Sequence, residues 1–242
     1  MSSEWLTSRR VVAEVLAAGR RTVHAVCLED GPPSEPLAAI EQAARRRDIT
    51  VEHLPAGELA LRDLADAQRV AARCGPYPYR DEAELPEAAP GRNGVLVVLD
   101  HLEDPQNTGA ILRTAEAAGC LGVCIPRRRA AGVTPAVIRA SAGAAEHLDV
   151  FAIGNVANLV HWLQRHGYWV VALDGAGDER WDQVGYKGHI ALVVGAEGKG
   201  VSRLVGERCD HRVALPLKGK VASLNASAAF AAVMYEVVRQ QG

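Results

Sequence analysis

The chain has 242 residues, of which 48% are hydrophobic, 23% are charged and only 5% are aromatic. These values lie within the range of globular proteins and exclude the disordered, collagen-like and coiled-coil classes. Because 27 Lys and Arg stand against 29 Asp and Glu, the net charge is -2. Any contact with nucleic acid must therefore be local, since the protein is not basic as a whole.

Cysteine spacing and the first residues restrict the class of protein further. The five cysteines are an odd number without the paired spacing of a zinc site, so we expect reduced thiols and no metal. The chain start lacks the apolar stretch of a signal peptide, and no segment approaches about 18 apolar residues in a row. We therefore expect a cytoplasmic protein that does not bind a membrane.

Residues 1–74 alternate between helical and extended patterns. Trp5, Val12 and Val15 recur at helical spacing, whereas TVHAVCL is typical of a strand. The patterns predict helices over 4–18, 34–47 and 57–65, and strands over 22–28, 49–54 and 68–74. This alternation indicates a small α/β domain.

A break in these patterns follows Cys74. The segment CGPYPYRDEAELPEAAPGRNG, from Cys74 to Gly94, contains four prolines and a group of acids but no helical or strand periodicity. We predict a linker over residues 75–93, which separates the first domain from a second domain over residues 94–242.

The second domain is predicted to be a parallel sheet with helices between its strands. Apolar runs rich in Val and Ile predict strands over 94–100, 121–126, 147–153, 168–174 and 189–195. Helical segments are predicted over 107–119, 134–141, 156–166 and 224–240. Such nearly continuous apolar strands are typical of a sheet covered on both faces. Ligands of these sheets bind beyond the carboxyl ends of the strands, so the loops there are the candidates for a site.

The first such loop is DHLEDPQNTGAILRTAEAAG, residues 100–119, which leads from a strand into a helix. Asn107 is predicted to cap that helix. Arg113 and Glu116 are three residues apart and share one helical face. The spacing leaves two readings open for Arg113: an ion pair with Glu116 on the surface, or contact with a ligand.

The second loop, VVGAEGKGVSRL, places three glycines around Glu197 after an apolar strand. The glycine order differs from that of the dinucleotide fingerprint, and no phosphate loop is present, which disfavours a dinucleotide-dependent enzyme. An acid inside the loop would repel a phosphate, so a cationic or neutral ligand fits better.

The third loop, LPLKGKVASLNASAAFAAVMYE, spans residues 215–236 and ends in a helix rich in alanine. Ser223 is predicted to cap this helix. The small side chains that follow, such as Ala228 and Ala232, would let another backbone approach, within the chain or across a dimer. Helix propensity alone explains them equally well.

Together, the strings NTGAILRTAEAAG, VVGAEGKGVS and LPLKGKVASLNASAAFAAVMYE resemble the SpoU (TrmH) branch of the SPOUT RNA methyltransferases in order and spacing. SAGAAEHLDV, residues 141–150, is similar too, and the resemblance covers about residues 94–240. It implies transfer of a methyl group from S-adenosylmethionine to a ribose 2′-OH of RNA. It also implies a trefoil-knotted parallel-sheet domain that works as a homodimer, in which parts of one site can come from the second subunit.

The resemblance also assigns residues. It implies that Arg113 lies at the reacting hydroxyl, where the guanidinium holds the RNA phosphate and stabilises the developing alkoxide, with proton abstraction by Arg113 as the less favoured version. The remaining catalytic positions that it implies are Asn107, Glu197, Ser223 and Asn225. Those implied for the cofactor are Gly195 and Gly198 in the loop, and the backbone of Leu215 and Leu224.

Residues 1–74 are similar to the RNA-binding α/β domain of the ribosomal-RNA ribose methyltransferases. Ala67 and Arg69 stand where that family commonly has His and Gly. We expect ribosomal RNA of the 23S type as the substrate, with a transfer-RNA enzyme or a catalytically silent RNA-binding relative as the alternatives. The predicted RNA contacts are two arginine runs, Arg45, Arg46 and Arg47 in the first domain and Arg127, Arg128 and Arg129 in the second.

Overall fold

The computed structural model describes residues 3–64, 66–220 and 223–242. Contacts between residues divide the chain into two units. The first unit comprises the residues up to Pro78 together with Val133–His147, and the second comprises Tyr79–Gly132 and Leu148–Gly242. Residues 133–147 thus group with the first unit, although the sequence places them inside the second domain. The assignment of RNA binding to residues 1–74 and of chemistry to residues 94–242 stays a prediction.

The helices and strands of the described residues follow one another in chain order. The elements up to the end of the predicted linker are β1 (Glu4–Thr7), α1 (Arg9–Ala18), β2 (Val23–Glu29), α2 (Glu35–Arg45), β3 (Thr50–Leu54), α3 (Glu58–Leu61), β4 (Val70–Cys74) and β5 (Arg80–Asp81). The later elements are β6 (Gly94–Asp100), α4 (Pro105–Ala117), β7 (Gly122–Pro126), α5 (Pro135–Ala140), β8 (Val150–Ile153), α6 (Val156–Arg165), β9 (Trp169–Leu173), β10 (Glu179–Arg180), β11 (His189–Gly195), α7 (Arg203–Arg208), β12 (His211–Ala214) and α8 (Ala226–Gln241).

The first unit is a four-stranded sheet with the order β1-β4-β2-β3. Strand β4 is antiparallel to both β1 and β2, and β3 is parallel to β2. Helices α1 and α2 bury the apolar faces that contain Val12, Val15 and Ile40. The predicted alternation of helices and strands from residue 22 to 74 agrees with these elements to within a few residues.

The predicted helix over 4–18 is wrong at its start, because Glu4–Thr7 forms strand β1 and Leu6 pairs with Ala72 of β4. Ser8 separates strand from helix, since its φ of 79° lies outside the helical region. The Ser8 hydroxyl accepts a hydrogen bond from the Val11 N–H, which caps α1. Trp5 matched the helical spacing of Val12 and Val15 although it lies in a strand.

A buried cation joins residues 133–147 to the rest of the first unit. The guanidinium of Arg21 is fully buried and donates to Glu146 at 3.2 Å, to Glu4 at 2.7 Å and to the Gly75 carbonyl at 2.8 Å. Burial raises the pKa of the Glu146 carboxyl despite its pairing with Arg21. Removing one partner of a buried pair leaves the other charge uncompensated, so this contact strongly couples the two segments.

The second unit contains an eight-stranded sheet with the order β10-β12-β9-β11-β6-β7-β8-β5. All of its pairings are parallel, and β6 and β11 are buried along nearly their whole length. The predicted strands 94–100 and 189–195 coincide with β6 and β11. The predicted α/β class with a parallel sheet is confirmed, whereas the trefoil knot stays a prediction.

Two parts of the second unit differ from the sequence prediction. The predicted linker includes strand β5, in which Arg80 pairs with Phe151 of β8, followed by a short 3₁₀ turn over Glu82–Glu84. Strands β10 and β12 and helix α7 were not predicted. Their segments are short and rich in charged side chains, so none shows the apolar periodicity by which the other elements were found.

Candidate functional site

A pocket of 590 Å³ lies where several strands of the second unit end. We call it the main pocket. Its lining comes from within residues 173–176 after β9, 194–200 at the end of β11, 213–217 at β12, and 223–229 at the start of α8. The second and third loops of the sequence analysis therefore meet at the carboxyl edge of the parallel sheet, as expected for this class of fold.

The loop after β11 folds back on itself. The Gly200 N–H donates to the Ala196 carbonyl at 2.8 Å, and a Cβ at position 195 would lie 2.1 Å from the backbone carbon of Gly200. Only glycine can occupy position 195 at such a close approach. Gly198 has a φ of 72° and lies next to Glu197, so this turn presents the Glu197 side chain at the pocket.

Four polar side chains form a hydrogen-bonded group beside the main pocket, which we call the amide cluster: Asp104, Asn107, Glu197 and Asn225. The Asn107 amide donates to Asp104 Oδ2 at 2.7 Å and to Glu197 Oε1 at 2.5 Å. The Asn225 amide donates to Asn107 Oδ1 at 2.7 Å and to Glu197 Oε1 at 2.9 Å. The cluster thus joins all three predicted loops, with Asp104 and Asn107 from the first, Glu197 from the second and Asn225 from the third.

Both predicted helix caps are corrected by this geometry. Asp104, not Asn107, caps α4, because its carboxylate accepts from the backbone N–H groups of Gln106 and Asn107. Asn225, not Ser223, caps α8 and accepts from the N–H groups of Ser227 and Ala228. Several residues with good capping side chains stand close together in both loops, so the residue type alone did not select the right one.

Arg113 lies in the second half of α4 and does not line the main pocket. Its side chain is exposed, and among the described residues it forms no hydrogen bond or ion pair. The predicted surface pair with Glu116 is therefore not formed. The guanidinium is available to a partner outside this chain.

The residues predicted to bind a cofactor all line the main pocket: Gly195, Gly198, Leu215 and Leu224. Ser223 and Asn225 line it as well. Asp174 was missed. Its carboxylate lies in the pocket at the end of β9, where Oδ1 accepts from the Ala176 N–H and Oδ2 pairs with Arg212 at 3.0 Å. An acid at the last position of the predicted strand 168–174 was the signal that could have found it.

A second pocket, of 530 Å³, adjoins the first across the 196–200 loop. Glu197 lines both pockets. Asp100 is almost completely buried in the wall of the second pocket, and its Oδ2 accepts from the Ser202 N–H at 2.6 Å. His101 has a φ of 57° and its Nδ1 lies 3.3 Å from the Arg129 carbonyl oxygen. Glu197 is therefore placed to contact two ligands at once.

The six arginines predicted to contact RNA have different surroundings. In the second unit, Arg127 pairs with Asp81 at 3.2 Å, Arg128 is exposed, and Arg129 lines the second pocket. In the first unit, Arg45 pairs with Glu41 at 2.7 Å, whereas Arg47 donates to the Leu16 carbonyl. The side chain of Arg46 is exposed and forms no hydrogen bond or ion pair to the described residues.

The described residues contain neither a membrane-spanning helix nor a cluster of metal-binding side chains. No helix within residues 3–64, 66–220 and 223–242 is long and apolar enough to cross a membrane. Within the same ranges, no three His, Cys, Asp or Glu side chains come together in a way that could hold a metal ion.

Comparison with known proteins gives a consistent picture. The model of the SpoU rRNA Methylase family matches residues 94–235. YacO of Bacillus subtilis (strain 168), which is assigned to the TrmH family of tRNA/rRNA methyltransferases, is 37% identical over 240 residues, which is 98% of this chain and 96% of YacO.

Solved structures share the fold over almost the whole chain. The SpoU methyltransferase AviRb from Streptomyces viridochromogenes, crystallised with the cofactor AdoMet, matches with a TM-score of 0.81 and 23% identity over 99% of this chain and 90% of AviRb. A structure described as an RNA 2′-O ribose methyltransferase matches with a TM-score of 0.81 and 24% identity, over 99% of this chain and 89% of that one.

Proposed function

The chain belongs to the SpoU rRNA methylase family, and we propose that it transfers a methyl group from S-adenosylmethionine to a ribose 2′-OH of ribosomal RNA. The observation that carries this proposal is the amide cluster, which brings residues from three separate loops to the edge of one pocket. A methyltransferase of this family needs a cofactor site and a hydroxyl-binding site side by side. The two pockets that share Glu197 meet that requirement.

The main pocket suits the cofactor in size and chemistry. Its 590 Å³ lies within the usual range of about 300–1,000 Å³ for small-molecule sites. Leu215, Leu217 and Leu224 provide apolar surface for a base and a methionine chain, and the Glu197 carboxylate suits a cationic sulfonium. Asp174 is placed to accept hydrogen bonds from ribose hydroxyls, because a carboxylate at a strand's carboxyl end often binds a nucleoside in this way.

Bound S-adenosylmethionine supplies a methyl group that is activated by the positive sulfur. The protein must then hold the 2′-oxygen about 3 Å from that methyl group and in line with the bond to sulfur. Glu197 Oε1 is already occupied by the amides of Asn107 and Asn225, which fixes the direction of the carboxylate. Glu197 Oε2 forms no hydrogen bond to the described residues, so it is free to orient the ribose hydroxyl. Ser223 adds a hydroxyl to the lining of the main pocket.

Arg113 acts on the RNA side of the reaction. A guanidinium stays protonated at ordinary pH, so it is a poor base and a good partner for phosphate. It would hold the phosphate next to the target ribose and stabilise negative charge on the oxygen while the hydroxyl proton passes to solvent water. Since Arg113 is exposed and lies outside the main pocket of its own chain, we propose that it completes the site of a second subunit.

A homodimer follows from this role of Arg113. Helix α8 starts at the main pocket and exposes Ala228 and Tyr235 on one face, with Ala232 between them at helical spacing. Beside Ala228 and Ala232, the small side chains allow a second backbone to approach closely. Sedimentation at micromolar concentration should give a dimer, and Ala228→Trp should weaken it. A wild-type monomer at that concentration would contradict the dimer and with it the shared site.

The choice of RNA depends on the first unit and on the arginine runs. The likeness of AviRb and YacO extends over nearly the full chain, so the first unit has counterparts in both proteins. Transfer RNA is the second candidate, because YacO is assigned to a family of tRNA/rRNA methyltransferases. We propose that the runs at 45–47 and 127–129 contact RNA phosphates in either case.

The experiment is methylation of purified RNA with labelled S-adenosylmethionine. The full-length protein is incubated separately with ribosomal RNA and transfer RNA from a strain that lacks this gene, and the digested nucleosides are separated by mass. The proposal predicts a 2′-O-methylated nucleoside, and more of it from ribosomal RNA. Label on a base would contradict the reaction, and label only in transfer RNA would contradict the substrate. Cofactor binding without any methylation would support the silent relative.

A further inference from the structure

The first unit carries a groove of 640 Å³ between helices α1 and α2. Its floor is formed by small and apolar side chains, among them Ala13, Ala39 and Ala43. Its rim carries four arginines: Arg9, Arg10, Arg46 and Arg47. Only Arg46 and Arg47 belong to the arginine run that the sequence analysis singled out. Arg9 and Arg10 precede them by about 36 positions, and the fold places all four side chains at one groove.

The groove is positively charged, although the part of the chain that contains it is acidic as a whole. Of the described residues that line it, four are cationic and none is acidic. Yet residues 1–92 contain 12 Lys and Arg against 15 Asp and Glu, a net charge of -3. A positive groove in an acidic part of the chain attracts an anionic partner locally rather than through the field of the whole protein.

Helix stability does not explain the placement of these arginines. Arg9 and Arg10 occupy the first turn of α1, where the helix dipole favours acids and disfavours cations. Arg10 and Arg46 form no side-chain hydrogen bond or ion pair to the described residues. Arg62, in contrast, is paired with Glu58 at i,i+4, as is usual for an exposed arginine on a helix. The free guanidinium groups on the rim are thus available to a ligand.

The geometry of the groove favours unpaired RNA over a duplex. Strands β1 and β2 are both antiparallel to β4, so the helices that follow them run side by side in the same direction. Arg9 and Arg10 therefore lie at one end of the groove, and Arg46 and Arg47 at the other. The ten residues of α1 correspond to about 15 Å of length between the two ends. Unpaired bases can rest on apolar surface and on guanidinium planes while their phosphates contact the cations, whereas a duplex hides its bases.

We propose that the groove between α1 and α2 binds a short unpaired stretch of the substrate RNA, with phosphates at the two arginine pairs and bases on the alanine floor. This inference rests on the proposed RNA substrate but not on the chemistry at the main pocket. It assigns to the first unit a defined surface and one kind of RNA conformation.

Neighbouring alanines provide a matched test. Ala39 lines the groove, whereas Ala38 is exposed outside it. Both can be replaced by glutamate, which keeps helix propensity high and changes the net charge equally. Binding of a fluorescent 12-nucleotide oligouridylate by the full-length protein should weaken about tenfold or more for Ala39→Glu and less than twofold for Ala38→Glu. Equal loss in both variants, or no loss in either, would overturn the proposal.

The arginines give a second, independent readout. Affinity for single-stranded RNA falls with salt, so log affinity against log salt has a negative slope. In the double variant Arg10→Ala, Arg46→Ala this slope should become shallower by about 0.7 per lost phosphate contact. Arg62→Ala is the control and should leave the slope unchanged. A duplex of the same length should bind more weakly and should not distinguish the variants. If the double variant lost as much affinity for the duplex as for the single strand, the groove would not be specific for unpaired RNA. If poly-glutamate of equal charge displaced the RNA, the groove would bind any polyanion. Either result would overturn the proposal.

The two proposals can fail separately. If the wild type methylates RNA but Ala39→Glu does so with an unchanged KM for RNA, the groove is refuted and the methyltransferase stands. If the wild type methylates no RNA but the contrast between Ala39→Glu and Ala38→Glu persists, the reaction is refuted and the groove stands. Thermal unfolding of each variant shows that differences in binding do not reflect loss of the fold.

Discussion

The main pocket and the groove between α1 and α2 have similar volumes, 590 and 640 Å³, but they are built from different material. The pocket depends on close backbone approach at Gly195 and on amide side chains that are all hydrogen-bonded. The groove depends on exposed arginines above a floor of alanines. A site of the first kind tolerates few substitutions, whereas a site of the second kind can change its affinity in small steps.

Arg113→Ala should produce the largest effect on methyl transfer, and it should separate that rate from the affinity of the main pocket for the cofactor. We expect methyl transfer to fall by about 10³-fold, as for loss of a group that stabilises transition-state charge, with nearly unchanged affinity for S-adenosylmethionine. Glu116→Ala on the same helix is the control and should keep its activity. Calorimetry and single-turnover rates measure both quantities. Loss of cofactor affinity in Arg113→Ala would place this residue in the main pocket and contradict its assignment to RNA.

Gly195→Ala tests the claim that the backbone shapes the pocket. The added Cβ would lie 2.1 Å from Gly200, so the loop must shift, at a cost of about 1–3 kcal/mol in unfolding free energy together with loss of cofactor binding. No atom of the described residues lies within 4 Å of a Cβ at position 219, so Gly219→Ala should be nearly neutral in both measurements. Unchanged cofactor affinity in Gly195→Ala would show that the loop conformation is not needed for binding.

Asp174→Asn tests the residue that the sequence analysis missed. Removing the charge should weaken cofactor binding about tenfold, since a hydrogen bond to a charged group contributes roughly 1.5–3 kcal/mol. The KM for RNA should not change. Asp182→Asn is the matched control, because Asp182 also pairs with an arginine but lies outside the main pocket. If both variants changed cofactor affinity equally, Asp174 would not contact the cofactor.

The smallest effects are changes in the pH dependence of stability at two carboxyls, one in each unit. Hydrogen bonds from Arg239 and Gln240 lower the pKa of Glu236 on α8 to about 2. Its contribution to stability is therefore complete above about pH 4.5 and is lost as the pH falls toward 2. Glu236→Gln should cost about 1 kcal/mol at pH 7 and progressively less below pH 4.5 in thermal unfolding. A cost that does not depend on pH would show that the charge of Glu236 is not involved.

Glu146 of the first unit should show the opposite trend. Burial raises its pKa, so its contribution to stability is present at low pH and is lost as the pH rises through the raised value. The difference in unfolding free energy between wild type and Glu146→Gln should therefore shrink with rising pH, whereas that for Glu236→Gln should grow.

How much of each region could be predicted follows from how each is built. Asn107, Glu197 and Asn225 lie in three short strings whose resemblance to a known family implied that they belong to one site. The structure joins them by hydrogen bonds, and their catalytic role stays a prediction. The groove is lined by Arg10 from one helix and Arg46 at the end of another. Arg46 belongs to the arginine run that the sequence shows, whereas nothing in the local pattern around Arg10 indicates that it lies in the same groove. Residues 133–147 were predicted to belong to the second domain. The buried contact that joins them to the first unit links Arg21 to Glu146, which are 125 positions apart, and no local sequence pattern indicates such a contact.

If the methyl acceptor is a ribose hydroxyl, removing that hydroxyl must abolish the reaction. Once the modified nucleotide is mapped, an RNA is synthesised that carries a 2′-deoxy sugar at that nucleotide alone. We expect the protein to bind this RNA with nearly the same affinity as the ribose form and to transfer no methyl group to that position. Methylation of the 2′-deoxy nucleotide at an undiminished rate would show that the reacting oxygen lies elsewhere on the nucleotide and that the 2′-OH is not the acceptor.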